Sequence, residues 1–379
     1  MSGNPEVTKN RKLDHIKLTV SRNVEAREST LLEYVRIVHN PLPEVDLDNV
    51  DLTVEFCGKK LRAPLMITAM TGGHEEAYRI NRELARIAEK YGLAIGVGSQ
   101  RAGLEDPSVV HTFRVVRSEA PHAFVVANLG APQLSKGYGV REARAAVEMV
   151  GADALAIHLN AGQEAYQYEG DPYYSGVLTK ILEIQEELDV PVLIKETGSG
   201  LSREAVRLLY RLGVKCFDTA GLGGTSWIKV EALRAPSRDS YNPPGPLADY
   251  WGNPTAVAVA ETRYAAPDAY IVGSGGVRTG LDASKVIALG ADIAGMALPF
   301  LRALVRGGVQ GLDRFAATTI YQLKTVIFMV GGRSPRDLWR ARISVWGRLY
   351  EELRSAGIDQ SEYLTRTRLL PLVLRYGRF

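Results

Sequence analysis

Eight short apolar, β-branched runs recur along the chain with amphipathic segments between them, and this alternation restricts the architecture more than any other feature. The runs are PLMITAM (64–70), LAIGVGS (93–99), AFVVANLG (123–130), ALAIHLN (154–160), PVLIKET (191–197), KCFDTAG (215–221), AYIVGSGG (269–276) and DIAGMAL (292–298). Near-continuous apolarity is what a strand covered on both faces requires, as in a parallel sheet. Helical spacing fills the gaps in NRELARIAEKYG (81–92), VREARAAVEMVG (140–151), REAVRLLYRLG (203–213) and DASKVIALG (282–290), each closing on a Gly placed to cap a helix C-terminus. Eight strand–helix units predict an α/β fold closed as a (β/α)8 TIM barrel. An open doubly wound sheet would normally carry a GxGxxG in its first turn, and none is present. The barrel is assigned to 61–308, an N-terminal extension to 1–60 and extra C-terminal helices to 309–379, all in one domain.

Composition excludes several classes. A formal charge of +3 argues against an electrostatic nucleic-acid binder, and 46% hydrophobic with 23% charged residues fits an ordinary globular core. Residues 331–379 hold ten Arg and no Lys against five carboxylates; without a stacking array of aromatics, this reads as a solvated or subunit-facing helical surface. Two cysteines, Cys57 and Cys216, without CxxC spacing, disfavour a disulfide framework and a thiolate metal cluster. The charged opening MSGNPEVTKNRKLDHIKL is unlike a signal peptide, and no apolar stretch approaches a membrane span, so a cytoplasmic location and no membrane partner are expected.

Long connections after the fourth strand (161–176) and the sixth (222–254) fall on the barrel face where active sites are built. Polar residues also cluster where the strand runs stop: Thr68, Thr71, Ser99–Gln100–Arg101, Asn128, His158, Asn160, Lys195, Glu196, Thr219 and Gly275–Gly276. Any one of these could simply cap a turn, but as a set they ring one pocket. Gly275–Gly276 at the end of the seventh strand and Met296–Ala297–Leu298 before Pro299 predict a phosphate site at a helix N-terminus; tight turns alone are the plainer reading of those glycines. In HLNAGQE (158–164), Glu164 suits a hard cation such as Mg²⁺, which takes one or two carboxylates and fills its shell with water and phosphate oxygens. His158 as a structural histidine and Glu164 as a solvated helix-start acid are the alternatives. Arg11 and Lys12, with His15 a turn later, read either as exposed charges or as a mobile basic arm closing on an anion, in a segment with little to bury.

Together, RKLDH (11–15), AMTGG (69–73), GSQR (98–101), NLG (128–130), HLNAGQE, KETGSG (195–200), GGTSW (223–227) and GGVRTGLDASKVIALGA (275–291) resemble type 2, flavin-dependent isopentenyl-diphosphate isomerase over most of the chain. The last motif is also similar to hydroxy-acid oxidases and inosine-monophosphate dehydrogenase, whereas RKxxH with HLNxxQE is specific. The resemblance implies FMN, active when reduced, at Ala69, Met70, Thr71, Ser99, Asn128, Lys195, Thr225, Gly275, Gly276, Arg278, Ala297 and Leu298. It implies substrate contacts from Arg11, Lys12, Ser99, Arg101, His158, Asn160 and Gln163, catalytic roles for Gln163, His158 and Lys195, and Mg²⁺ on Glu164. It further implies isopentenyl and dimethylallyl diphosphate as substrates in isoprenoid biosynthesis, NADPH or NADH as reductant, and a homo-oligomer, tetramer or octamer. Ala220 departs from the family pattern, standing where a serine often contacts the flavin. The rival readings are an FMN-dependent oxidoreductase and a flavin carrier without chemistry of its own.

Overall fold

A computed structural model describes residues 5–234 and 245–377, with side chains from Lys12 onward. Its strands are β1 (Leu65–Ile67), β2 (Ala94–Gly96), β3 (Phe124–Gly130), β4 (Ala154–Leu159), β5 (Val192–Glu196), β6 (Cys216–Asp218), β7 (Tyr270–Ser274) and β8 (Ile293–Met296). All are parallel in sequence order, and β8 pairs back onto β1, so the sheet closes into an eight-stranded barrel. Each expected apolar run contains one of these strands. The intervening helices follow the expected pattern, with Gly92 and Gly151 in the left-handed conformation (φ 63° and 54°) that ends a helix without a Cβ penalty.

Alternation along the strands sorts side chains into two cores. Inward-facing Met66, Phe124, Val126, Ala156, Leu193 and Val272 fill the barrel, while Leu65, Val125, Leu155, Ile157 and Ile194 pack outward against the helices. An antiparallel hairpin, 54–61, plugs the floor, where Phe56 meets Phe124 and Tyr270 edge-on at 5.6 Å each.

Three expectations need correction. The opening segment is not an arm with little to bury: helix α1 (Pro5–Ser21) lies on the barrel mouth, Ile16 and Val20 packing on the main core and Leu18 against Val24, Val230 and Leu298. Beyond the mouth, helix α2 (Ala161–Tyr166) follows β4, α3 (Trp227–Arg234) follows β6, and α4 (Leu298–Met329), kinked at Gly308 (φ 59°), follows β8. The region after α4 is not helices alone, because Ile343–Val345 pairs antiparallel with Val35–Ile37 of the extension. Nor is its arginine run only a surface: Arg368 is buried, donating to the carbonyls of Ala288, Ala341 and Leu364, and Arg375 bonds Asp292 at 2.5 Å beside the fully buried Arg263. Burial pushes Arg263 and Arg368 down to about 10. Among the described residues, no helix is long and apolar enough to cross a membrane.

Candidate active site

The two-residue period that fills the barrel also decides what lines its mouth. Continuing the inward set toward the strand C-termini gives Asn128 on β3, His158 on β4, Lys195 on β5, Asp218 on β6 and Ser274 on β7. His158 is in register with Lys195, and Lys195 with Asp218, so three titratable side chains stand in one row. They line a cavity whose open space, mouth included, is about 1550 Å³.

Electrostatics give each member of the row a state. Asn128 Nδ2 donates to Val97 O (3.0 Å), which turns its Oδ1 toward His158 Nδ1 at 2.7 Å. His158 therefore carries its proton on Nδ1 and presents Nε2 as an acceptor. Burial first, then the charges of Lys195 and Lys12, push its pKa down to about 3, so it is neutral at physiological pH. Lys195 Nζ lies 3.9 Å from Asp218 Oδ2 and donates to Glu196 O at 2.5 Å. Burial pushes Asp218 up against the opposing pull of Lys195 and of the Ser274 hydroxyl, which donates to it.

On one side of the row the backbone is arranged for an anion. Gly275 (φ 102°) runs so close to the β6 loop that a Cβ there would lie 2.2 Å from Gly221 O, and Thr255 Oγ1 donates to Gly275 O at 2.6 Å. Beside it, after the neighbouring strand β8, Ala297 caps α4, with Pro in its first turn. Arg278 reaches the same cavity, held by Glu25 at 2.9 Å; burial would raise Glu25, but Arg278 and Arg302 outweigh it and keep it below the usual carboxylate range. Ala69, Met70, Thr71 and Met296 form the adjoining wall, where the Thr71 hydroxyl is buried without a hydrogen-bond partner. A helix N-terminus beside a glycine turn, an apolar wall with an unsatisfied hydroxyl, and a buried ammonium form a donor set that fits a flavin mononucleotide. Ala220, which stands where a serine is often found, donates its N–H to Ser274 Oγ (3.1 Å).

Across the cavity, Asn160, which caps α2, and Gln163 and Glu164 on the helix present the rest of the HLNAGQE motif. Glu164 is buried and accepts from Asn160 Nδ2 (2.8 Å) and Asp171 N (2.7 Å), so its orientation is fixed while each oxygen keeps a lone pair. One carboxylate without a cluster of three or more His, Cys, Asp or Glu side chains, none being found among the described residues, suits a Mg²⁺ whose other ligands come with a phosphate. Gln163 Nε2 donates to Glu231 Oε1 (3.2 Å), which also meets His15 Nε2 (2.8 Å) from α1. Burial would raise Glu231, but His15 and Arg234 hold it below its usual range.

The flavin, substrate and metal candidates line this one cavity except Arg11, whose side chain lies outside the described residues: Ser99, Thr225, Gly276 and Leu298 from the flavin set and Lys12, Arg101, Asn160 and Gln163 from the substrate set are all on its wall. Three of the strand-end polar residues expected to ring it do not: Gln100 Nε2 donates to Ala146 O (2.8 Å), Thr219 Oγ1 donates to Ser274 O (3.1 Å), and Glu196 is turned into its own loop, accepting from the N–H groups of Thr197 and Gly198. Lys12 is already seated, donating to Ser99 O at 2.9 Å, and Arg101 is held by Glu105 at 2.9 Å. Asp218, Glu231 and Trp227 were not among the candidates. Asp218 had a signal, since it shares the inward parity of Cys216; Glu231 had none, being one acid in a helix with a basic neighbour.

Residues 246–345 match the model of the FMN-dependent dehydrogenase family. The chain is 62% identical to isopentenyl-diphosphate delta-isomerase of Aeropyrum pernix, the match covering 97% of this chain and 98% of that one. It is 46% identical to the protein of the same name from Ignicoccus hospitalis, over 93% and 97%. Among solved structures, a mandelate oxidase variant with (S)-mandelic acid superposes with a TM-score of 0.61 at 13% identity, over 90% and 98%, a likeness of fold.

Proposed function

The chain belongs to the type 2, FMN-dependent isopentenyl-diphosphate delta-isomerases, and from that membership we propose that it interconverts isopentenyl and dimethylallyl diphosphate by acid–base chemistry, with FMN reduced by NADPH or NADH and Mg²⁺ on the diphosphate. We also propose a cytoplasmic homo-oligomer, tetramer or octamer. The observation that carries the reading is the division of one cavity into a glycine turn with a helix N-terminus on one side, a fixed carboxylate with cationic side chains on the other, and the His158–Lys195–Asp218 row between them.

Gly275, Gly276, Ala297, Leu298 and Arg278 would hold the FMN phosphate, and Ala69, Met70, Thr71, Ser99, Asn128, Lys195 and Thr225 the remainder. Moving the double bond requires a proton at the terminal methylene and loss of one two carbons away, passing near a tertiary cation. Bound reduced FMN supplies an exchangeable proton and negative charge at that point. Lys195 provides the positive charge that balances an anionic ring, and Asp218 behind it keeps the ammonium in place. Glu164 would take Mg²⁺, and Lys12 and Arg101, with Arg11 from the sequence, would meet the diphosphate. The diphosphate changes no bonds, so these groups hold the reacting carbons in position. His158, neutral with Nε2 as acceptor, and Gln163, turned by Glu231, orient without adding charge to a site where a cation develops.

Incubation with isopentenyl diphosphate, FMN, Mg²⁺ and NADPH under anaerobic conditions should yield dimethylallyl diphosphate. The fold it shares with a mandelate oxidase favours one second reading, oxidation of a hydroxy acid. Reduction of bound flavin by a panel of 2-hydroxy acids, with no isomerisation, would establish that reading instead.

A further inference from the structure

The barrel floor carries an arrangement that the reaction at the mouth does not use. The chain has two cysteines, and the fold brings them together: Cys57 Sγ and Cys216 Sγ are 2.8 Å apart, although 159 positions separate them. That is closer than ordinary contact between heavy atoms, ~3.5–4.0 Å, and within about 1 Å of a covalent S–S distance of roughly 2.05 Å. Cys57 and Gly58 form the two-residue turn of the hairpin, both at positive φ (46° and 80°), between the paired Phe56 and Lys59. Such turns favour Asn, Asp or Gly at the first position, and a cysteine there carries a steric cost. Local turn chemistry therefore does not account for Cys57; what it faces does. Cys216 opens β6 and points into the floor beside Leu193 and Val272, so the pair spans from the plug to the barrel wall. A metal is not the explanation, because no cluster of three or more His, Cys, Asp or Glu side chains that could hold one is found among the described residues.

We propose that Cys57 and Cys216 are the site of an intramolecular disulfide that fastens the floor hairpin to the barrel wall. The oxidant is a disulfide, small-molecule or protein-borne. The half-buried Cys57, as thiolate, attacks one of its sulfurs, breaking the oxidant's S–S bond and releasing one thiol; Cys216, as thiolate, then attacks the Cys57 sulfur and releases the second. The two cysteine protons end on the two released thiols, and the cysteine pair is oxidised by two electrons as the oxidant is reduced. Burial pushes the Cys57 thiol well up, so the exchange belongs to a state in which the hairpin is undocked, as during folding.

The test compares the full-length flavin-loaded protein with the same chain in guanidinium, each equilibrated against reduced and oxidised glutathione over a range of ratios, then acid-quenched, alkylated and weighed. The folded protein should hold the pair as a disulfide, unalkylated and about 2 Da lighter, at ratios where the denatured chain takes two alkyl groups. Peptide mapping without reductant should recover 57 linked to 216. Two alkyl groups on the folded protein at ratios that oxidise the denatured chain would overturn the proposal. Cys57→Asn, which suits the turn, is the variant that removes the bond while keeping the hairpin. Reductant should lower the melting temperature of the oxidised parent by about 3–6 °C and leave that of Cys57→Asn unmoved; an equal response in both would also overturn it.

Discussion

His158 combines burial, two nearby lysines and a committed hydrogen bond, so its charge state can be tested without turnover. Its folded value of about 3 lies below the ordinary 6.5, so the unfolded chain takes up the proton first. The stability this contributes is fully present above pH 6.5 and is lost as pH falls toward 3, by up to ~1.4 kcal/mol per unit. In flavin-free protein, His158→Gln should therefore lose less stability between pH 7 and pH 4 than the parent, measured by urea midpoints; equal losses would mean His158 titrates normally. Glu164→Gln keeps at most one of the two hydrogen bonds that orient the side chain and removes the charge a Mg²⁺ needs. It should abolish most of the Mg²⁺-dependent activity while flavin content stays unchanged, and EDTA-resistant activity in the parent would contradict this. These residues were legible one by one in the HLNAGQE motif. Asp218 shows only its inward parity with Cys216, which does not foretell its pairing with Lys195, and Glu231 shows nothing, because it gains its partners His15 and Gln163 from segments 216 and 68 positions away.

At the scale of elements, the eight strands could be read because each is apolar on both faces, and that pattern survives without knowledge of its neighbours. Helix α1 could not: its apolar residues are few and set among charges, and the surfaces they cover, Val230 and Leu298, come from α3 and α4. The expectation of a loose arm gives way to a docked helix that delivers Lys12 into the cavity. Lys12→Ala should then lower kcat/KM by roughly 10–150-fold, the worth of one charge-assisted contact of ~1.5–3 kcal/mol, with little change in melting temperature. A change confined to melting temperature would make α1 purely structural. The turn after β7 gives a second test. Gly275→Ala places a Cβ against Gly221 O at 2.2 Å in a backbone conformation that alanine resists, and should weaken FMN binding at least tenfold, about 1.4 kcal/mol, in a fluorescence titration. Unchanged FMN affinity would remove that turn from the flavin site.

The whole barrel has two chemically different ends: a floor closed by an apolar hairpin, and a mouth where the same alternation of side chains turns polar and converges on one cavity. Many barrels with that plan pass electrons, and the likeness to a mandelate oxidase shows how little the fold alone decides. What distinguishes this chain is the cationic and carboxylate side of the cavity, which suits a diphosphate that is held while a neighbouring double bond moves. Substrate and product of the proposed reaction are at the same oxidation level, so in this proposal a reductant serves only to bring the flavin to its reduced state and would not be consumed with each turnover. The most direct measurement is therefore the number of dimethylallyl diphosphate molecules formed per NADPH consumed, under strict anaerobiosis with isopentenyl diphosphate in excess. A ratio far above one is the expected result, and a ratio that stays at one as product accumulates would contradict acid–base isomerisation at this site.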